Sequence, residues 1–116
     1  MSPKPWQERI QEILDAIAEI GFFTADMSRA AFLGDAKTLK AVSADLTIIG
    51  EAARHVPAHM TQKCPDIPWV VMQGMRNRIV HGYYQVDPAI DWDTCQNVLP
   101  PLVEPPEKLL RDNPQN

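Results

Sequence analysis

Residues Asp35 to Val56 read DAKTLKAVSADLTIIGEAARHV, and within them Leu39, Val42, Leu46, Ile49, Ala53 and Val56 recur in alternating steps of three and four. That alternation, sustained over more than two heptads, puts all six side chains on one stripe of an α-helix and predicts a helix packed lengthwise on another. Gly34-Asp35 marks its start, with Asp35 as the N-cap whose carboxylate can accept from the first free backbone N–H groups. Ile48 and Ala52 lie beside the stripe and widen it enough to serve both an internal core and a partner.

Upstream, Trp6, Ile10, Ile13, Ile17 and Ile20 step by four and three, one apolar face of a first helix. Proline sets the punctuation. No proline falls between Trp6 and Val56, whereas Pro57, Pro65, Pro68 and Pro88 follow, with pairs at Pro100-Pro101 and Pro105-Pro106. Proline is excluded from helix interiors but tolerated in the first turn, so these positions read as breaks between helices. Beyond a connection from Pro57 to Pro68, Met72, Met75 and Ile79 line one side of a third helix spanning about Pro68 to His81, which Gly82 is placed to end. Asp87-Pro88 then forms an N-cap followed by proline at the first helical position. The fourth helix is expected to bury Ile90, Val98 and Leu102 and to kink or restart at Pro100-Pro101. No segment alternates with period two for long enough to make a strand. The expectation is an all-α chain of four or five helices, one domain over 1–116, with Pro100-Pro101 and Pro105-Pro106 crowding its last helix and the tail from about residue 104.

Composition bounds the function. At 116 residues with 45% apolar and 22% charged residues, the chain suits one globular domain. No apolar run approaches the roughly 20 residues that cross a bilayer, and Met1-Ser2-Pro3-Lys4-Pro5-Trp6 lacks the apolar stretch of a signal peptide. Cys64 and Cys95 stand far apart, which excludes a disulfide framework and a zinc ribbon. A cytoplasmic, reduced setting is expected. The net charge of −4 argues against a general nucleic-acid coat. Positive charge is nevertheless concentrated: Lys63, Arg76 and Arg78 face Asp66 alone between residues 63 and 86, so that stretch is +2 and the remainder −6.

Within it lies Arg76-Asn77-Arg78-Ile79-Val80-His81-Gly82-Tyr83-Tyr84. Cations in a last helical turn followed by glycine complement the helix dipole, and that alone is a sufficient structural reason for them. Chemistry offers another. Histidine moves protons near neutral pH, and arginine grips phosphate oxygens through two parallel bonds. At about 100° per residue, Asn77 and Arg78 share a face with His81, while Arg76 stands about 140° away. Arg76 and His81 meet at one substrate if Arg76 reaches around, if the helix loosens near Gly82, or if a second subunit supplies a wall. Such a pair suits phosphate-ester chemistry without a metal.

Arg76-x4-His81-x-Tyr83 resembles the Arg-x4-His-x-Tyr signature of HEPN-domain toxins of the HepT type. Ile49-Gly50-Glu51-Ala52-Ala53 is similar to that family's Ile-Gly-Glu-Ala element, and Ile67-Pro68-Trp69 with Gly74 to Tyr83 is close to its third-helix sequence. Asp87 and Trp92 fall where the family places an acidic residue and a tryptophan, and the resemblance runs from about Ile10 to Leu102. It implies a HEPN-type helical bundle that forms a homodimer, with two Arg-x4-His motifs facing each other at the interface. It further implies a metal-independent endoribonuclease, needing no cofactor, that cleaves messenger or transfer RNA. Arg76 and His81 would be catalytic, with Asn77, Arg78 and Tyr83 supporting RNA binding. In the two-gene type VII modules such proteins are toxins, silenced when an MntA-type nucleotidyltransferase antitoxin attaches AMP to the motif tyrosine, here Tyr83. The competing reading is a non-catalytic HEPN module that binds a nucleotidyltransferase or a nucleotide.

Other residues fit plainer roles. Pro57 separates His55 from His59, and no third metal ligand is near them in sequence. Glu51, among small and apolar neighbours, suits a helix–helix hydrogen bond or salt bridge. Trp6, Trp69 and Trp92 suit core or interface packing, and neither cysteine stands in a context that activates a thiol.

Overall fold

The structure is a computed structural model that describes residues 4–80 and 87–115, with residues 77–80 traced by their backbone. Seven α-helices run in the order α1 (Trp6–Thr24), α2 (Arg29–Leu33), α3 (Ala36–Arg54), α4 (Ala58–Lys63), α5 (Trp69–Val80), α6 (Pro88–Asp93) and α7 (Glu104–Asp112). No strand occurs among the described residues. The all-α expectation holds, with α1, α3 and α5 as its three long elements.

The central helix forms where its stripe requires. Asp35 accepts from Lys37 N at 3.2 Å and Thr38 N at 3.3 Å, and Thr38 Oγ1 donates to its other oxygen at 2.8 Å. Val42, Leu46, Ile49, Ala53 and Val56 are buried, and Leu39 is half-buried. The core is shared by α1 through Ile10, Ile13, Ala16, Ile17 and Ile20, and by α5 through Trp69, Met72 and Met75. Thus α3 is the middle of a layer, packed on α1 along one side and on α5 along the other. Ala52 joins this core, while Ile48 stays 42% exposed.

Three expectations change. The connection from Pro57 to Pro68 contains α4, started by Pro57 in an extended conformation suited to an N-cap position and held to the core by Met60. The fourth helical region restarts, one of the two outcomes expected at Pro100-Pro101, but the break begins earlier than the prolines. Asp87 caps α6 as expected, accepting from Ala89 N at 2.9 Å, but a wide turn follows over Thr94–Val98, in which Leu99 N reaches Thr94 O at 2.9 Å. A tight turn over Pro100–Leu102 comes next, and only then α7. Pro100 and Pro101 have no N–H to continue the ladder, so the backbone widens before them and tightens across them. Finally, Ile90 is 54% exposed rather than buried, because α6 turns Asp91 inward. Leu102 is buried and Val98 half-buried, as expected.

Trp92 is half-buried and lies on Phe32, with ring centroids 5.3 Å apart, tying α2 to α6. Trp69 donates its indole N–H to Cys64 O at 3.0 Å, which fixes the start of α5. Gly82, expected to end the third helix, lies outside the described residues.

Candidate functional site

Helix α5 carries the first half of the arginine–histidine segment, and its geometry around Arg76 is set by α3. Gly50 makes this possible. A Cβ built on it would lie 2.6 Å from Arg76 Cβ and 2.9 Å from Arg76 Cα, well inside the 3.5–4.0 Å separation of touching carbons. The two helices therefore meet backbone to backbone at Arg76, and only a residue without a side chain fits at position 50. A glycine inside a helix costs about 1 kcal/mol relative to alanine. Here the cost is offset by the closest approach of α3 to α5.

The next residue uses that closeness. Glu51 Oε2 lies in ionic contact with Arg76 Nε, and Glu51 Oε1 is 3.6 Å from Arg54 Nη1. Glu51 Oε2 is enclosed, and the cation beside it is Arg76. The Arg76 side chain keeps 31% of its surface and Glu51 keeps 41%, so the pair sits at the rim of the α3–α5 seam and not in the core. Contact at Nε uses one of the five guanidinium donors, and the terminal nitrogens are the part of the group that can fork onto a second oxyanion. The helix–helix salt bridge expected of Glu51 is present, and its partner is the arginine of the motif.

His55 is accounted for by the end of α3, where its Nδ1 lies 2.8 Å from Glu51 O. Among the described residues no three His, Cys, Asp or Glu side chains are arranged to hold a metal ion. Cys64 and Cys95 form no disulfide; the first is half-buried and the second buried. Of the residues singled out from the sequence, Arg76 is placed at the α3 contact. Asn77 and Arg78 are traced by backbone only, and His81 and Tyr83 lie outside the described residues. The Gly50–Glu51 arrangement was missed as a unit, although an interior helix glycine beside an apolar seam is a readable sign of close helix approach.

Among the described residues, nothing covers the outward side of α5 at Val70, Val71 and Gly74. Val70 is 82% and Val71 53% exposed, and a Cβ added at Gly74 would meet none of the described residues within 4 Å. Val70, Gly74 and position 77 fall on one helical row, so an apolar, small-residue face leads along the helix toward the motif.

The family model described as "Ribonuclease HepT-like" matches residues 13–109. A protein of Thermococcus cleftensis named "Probable ribonuclease HepT" is 37% identical over 105 residues, covering 90% of this chain and 96% of that one. One of Methanocaldococcus jannaschii named "Putative RNase MJ0127" is 34% identical over 112 residues, covering 97% and 93%. No solved structure gives a significant match.

Proposed function

The chain belongs to the HepT-like ribonuclease family, and on that premise we propose that it is a metal-independent endoribonuclease, the toxin of a two-gene module, with Arg76 and His81 as its catalytic residues. The observation that carries the proposal is the fixing of Arg76 by Gly50 and Glu51 at the α3–α5 crossing. An arginine held at Nε presents its terminal nitrogens with little conformational freedom left to lose, which is what stabilising a developing phosphorane charge requires.

RNA brings its own nucleophile. In this mechanism the 2′-oxygen attacks the adjacent phosphorus while one His81 takes its proton, and the bond to the 5′-oxygen breaks as a second His81 donates a proton to it. The products are a 2′,3′-cyclic phosphate and a 5′-hydroxyl end, and Arg76 holds the phosphoryl oxygens throughout. Because base and acid are the same residue in different protonation states, the rate depends on pH as a bell.

Two histidines require two chains. The exposed Val70 and Val71 and the open row at Gly74 support a homodimer through α5, since an apolar helix face continuous with the motif is best covered by its own copy. Asn77 and Arg78 follow on the same helix and add RNA contacts, and Tyr83 stacks on an unpaired base. Tyr83 is also the acceptor for AMP from a nucleotidyltransferase antitoxin. Each phosphate added there brings negative charge into a site that must receive phosphate, which blocks substrate. The test is expression in cells: the chain is expected to arrest growth, and the arrest to be relieved by the coexpressed nucleotidyltransferase and by His81→Ala. Intact mass is then expected to show AMP on wild type and none on Tyr83→Phe. Arrest that persists in His81→Ala overturns the catalytic assignment.

A further inference from the structure

The Glu51 carboxylate is shared between two cations. Besides Arg76 at Oε2 it faces Arg54, in the last turn of α3, whose Nη1 lies 3.6 Å from Oε1. Two guanidinium groups therefore flank one carboxylate, and among the described residues no other carboxylate pairs with either of them. The trio keeps one positive charge in excess. At 3.6 Å the Arg54 contact is longer than a hydrogen bond, so its N–H donors are not committed to Glu51.

The position of Arg54 on α3 is equally specific. It stands four residues beyond Gly50, on the row of the helix that meets Arg76. Four residues advance about 6 Å along a helix axis, so the two cations hold neighbouring stations on one edge of the α3–α5 seam. A plainer role for Arg54 is to complement the negative end of the α3 dipole. That role does not require a place against a carboxylate that Arg76 already engages. The surroundings are also free of acid. From Ala52 to Pro65 there is no Asp or Glu, and Arg54, His55, His59, Gln62 and Lys63 are exposed. Residues 52–80 carry Arg54, Lys63, Arg76 and Arg78 against Asp66 alone, a charge of +3 within a chain of −4. Helix α1, on the other side of α3, bears Glu8, Glu12, Asp15 and Glu19, so a polyanion is drawn to one side of the molecule.

We propose that Arg54 is a substrate-binding residue, its guanidinium gripping the RNA phosphate next to the one held by Arg76. The inference rests on the ribonuclease reading above and adds to it the course of the RNA strand past the site. Glu51 holds both guanidinium groups in place while the site is empty. When RNA binds, a phosphate replaces the long carboxylate contact of Arg54, whereas Arg76 keeps its Nε on Glu51. The exchange costs little, because an exposed ion pair of that length is weak. What it gains is a forked, charge-assisted pair of N–H bonds to phosphate oxygens.

The test uses the full chain and two probes. The first is a 2′-O-methyl oligonucleotide with a single ribonucleotide at the step the protein cuts fastest in cellular RNA, which fixes the scissile phosphate. The second is a mixed-sequence, fully 2′-O-methyl strand, which can be bound but not cut. In Arg54→Gln, KM for the first probe should rise and affinity for the second should fall, each roughly fivefold at about 0.1 M salt, with the slope of log affinity against log salt shallower by about 0.7, the share of one phosphate on a single strand. The loss should fall on KM and not on kcat, and Arg54→Lys should keep the salt slope. A neutral methylphosphonate at one of the linkages adjoining the cut should weaken wild type by the same factor and Arg54→Gln no further. Unchanged affinity in Arg54→Gln, or a methylphosphonate effect equal in wild type and variant at both linkages, would overturn the proposal. So would a lower kcat at unchanged KM, the result expected if Arg54 acted only on Arg76 through Glu51. If wild type cuts no RNA, the ribonuclease reading fails, and the affinity and salt slope on the second probe still decide for or against Arg54.

Discussion

Replacing Gly50 by alanine is the sharpest perturbation of the α3–α5 contact. The new methyl would sit 2.6 Å from Arg76 Cβ and 2.9 Å from its Cα, so the helices must part by roughly 1 Å to restore carbon contact distances. Overpacking of this kind costs about 1–3 kcal/mol, and the upper part of that range applies because the obstructing atoms are those of a helix backbone and not a side-chain tip. Against it stands about 1 kcal/mol gained by removing a glycine from a helix interior. The net is a loss of about 2 kcal/mol, on the order of 8 °C in Tm for a chain of this size. Gly21→Ala is the control, since a Cβ there meets none of the described residues within 4 Å and the same propensity gain should appear unopposed as up to about 1 kcal/mol of stabilisation. The assay is urea unfolding followed by far-ultraviolet circular dichroism, with all variants at one protein concentration because dimerisation would shift the midpoint. RNA cleavage measured in parallel should fall with Gly50→Ala, since Arg76 moves. If Gly50→Ala is stabilised as much as Gly21→Ala, the close approach is not a constraint and the account of Arg76 positioning fails.

Three further outcomes follow from the same geometry. Glu51→Gln leaves a neutral neighbour at Arg76 Nε; because the pair is part-exposed, stability should change by no more than about 1 kcal/mol, while single-turnover cleavage falls on the order of tenfold with little change in RNA affinity. Asp45→Asn should flatten the pH dependence of stability. The folded carboxyl, raised by burial and by the neighbouring Glu19 carboxyl from 3.8 to about 7, holds its proton where the unfolded one has lost it. Stability therefore declines as pH rises from about 4 to about 7, and urea midpoints between pH 4.5 and 8.5 read the difference between wild type and variant. Val70→Asp puts a charge on the exposed face of α5; if the proposed homodimer forms through that face, wild type should sediment as a dimer and the variant as a monomer with helicity retained, and an unchanged dimer would move the interface elsewhere.

The sequence was most legible where burial is apolar and regular. The seam of α3 and the face of α1 are runs of isoleucine, leucine, valine and alanine at helical spacing, and the structure buries them, with Leu39 half-buried. It was least legible where the buried face is polar. Asp91, Thr94 and Cys95 turn inward around α6, so a reading that follows apolar residues places Ile90 inside and is wrong there. Helix α4 escaped notice because prolines on both sides suggest a loop, yet Pro57 is compatible with a helix start and Met60 alone supplies the anchor. At the site, the motif announces Arg76 but not its partner. Glu51 is distant in sequence, and only the α3–α5 crossing allowed by Gly50 brings the two charges together.

The most direct measurement is cleavage of a mixed cellular RNA pool by the purified protein in EDTA, with Arg76→Ala and His81→Ala alongside. The account predicts that wild type cuts without divalent metal, leaving 2′,3′-cyclic phosphate ends, and that each variant is slower by at least about a hundredfold. A wild-type protein that leaves the pool intact, or a His81→Ala protein that cuts at the wild-type rate, would contradict it.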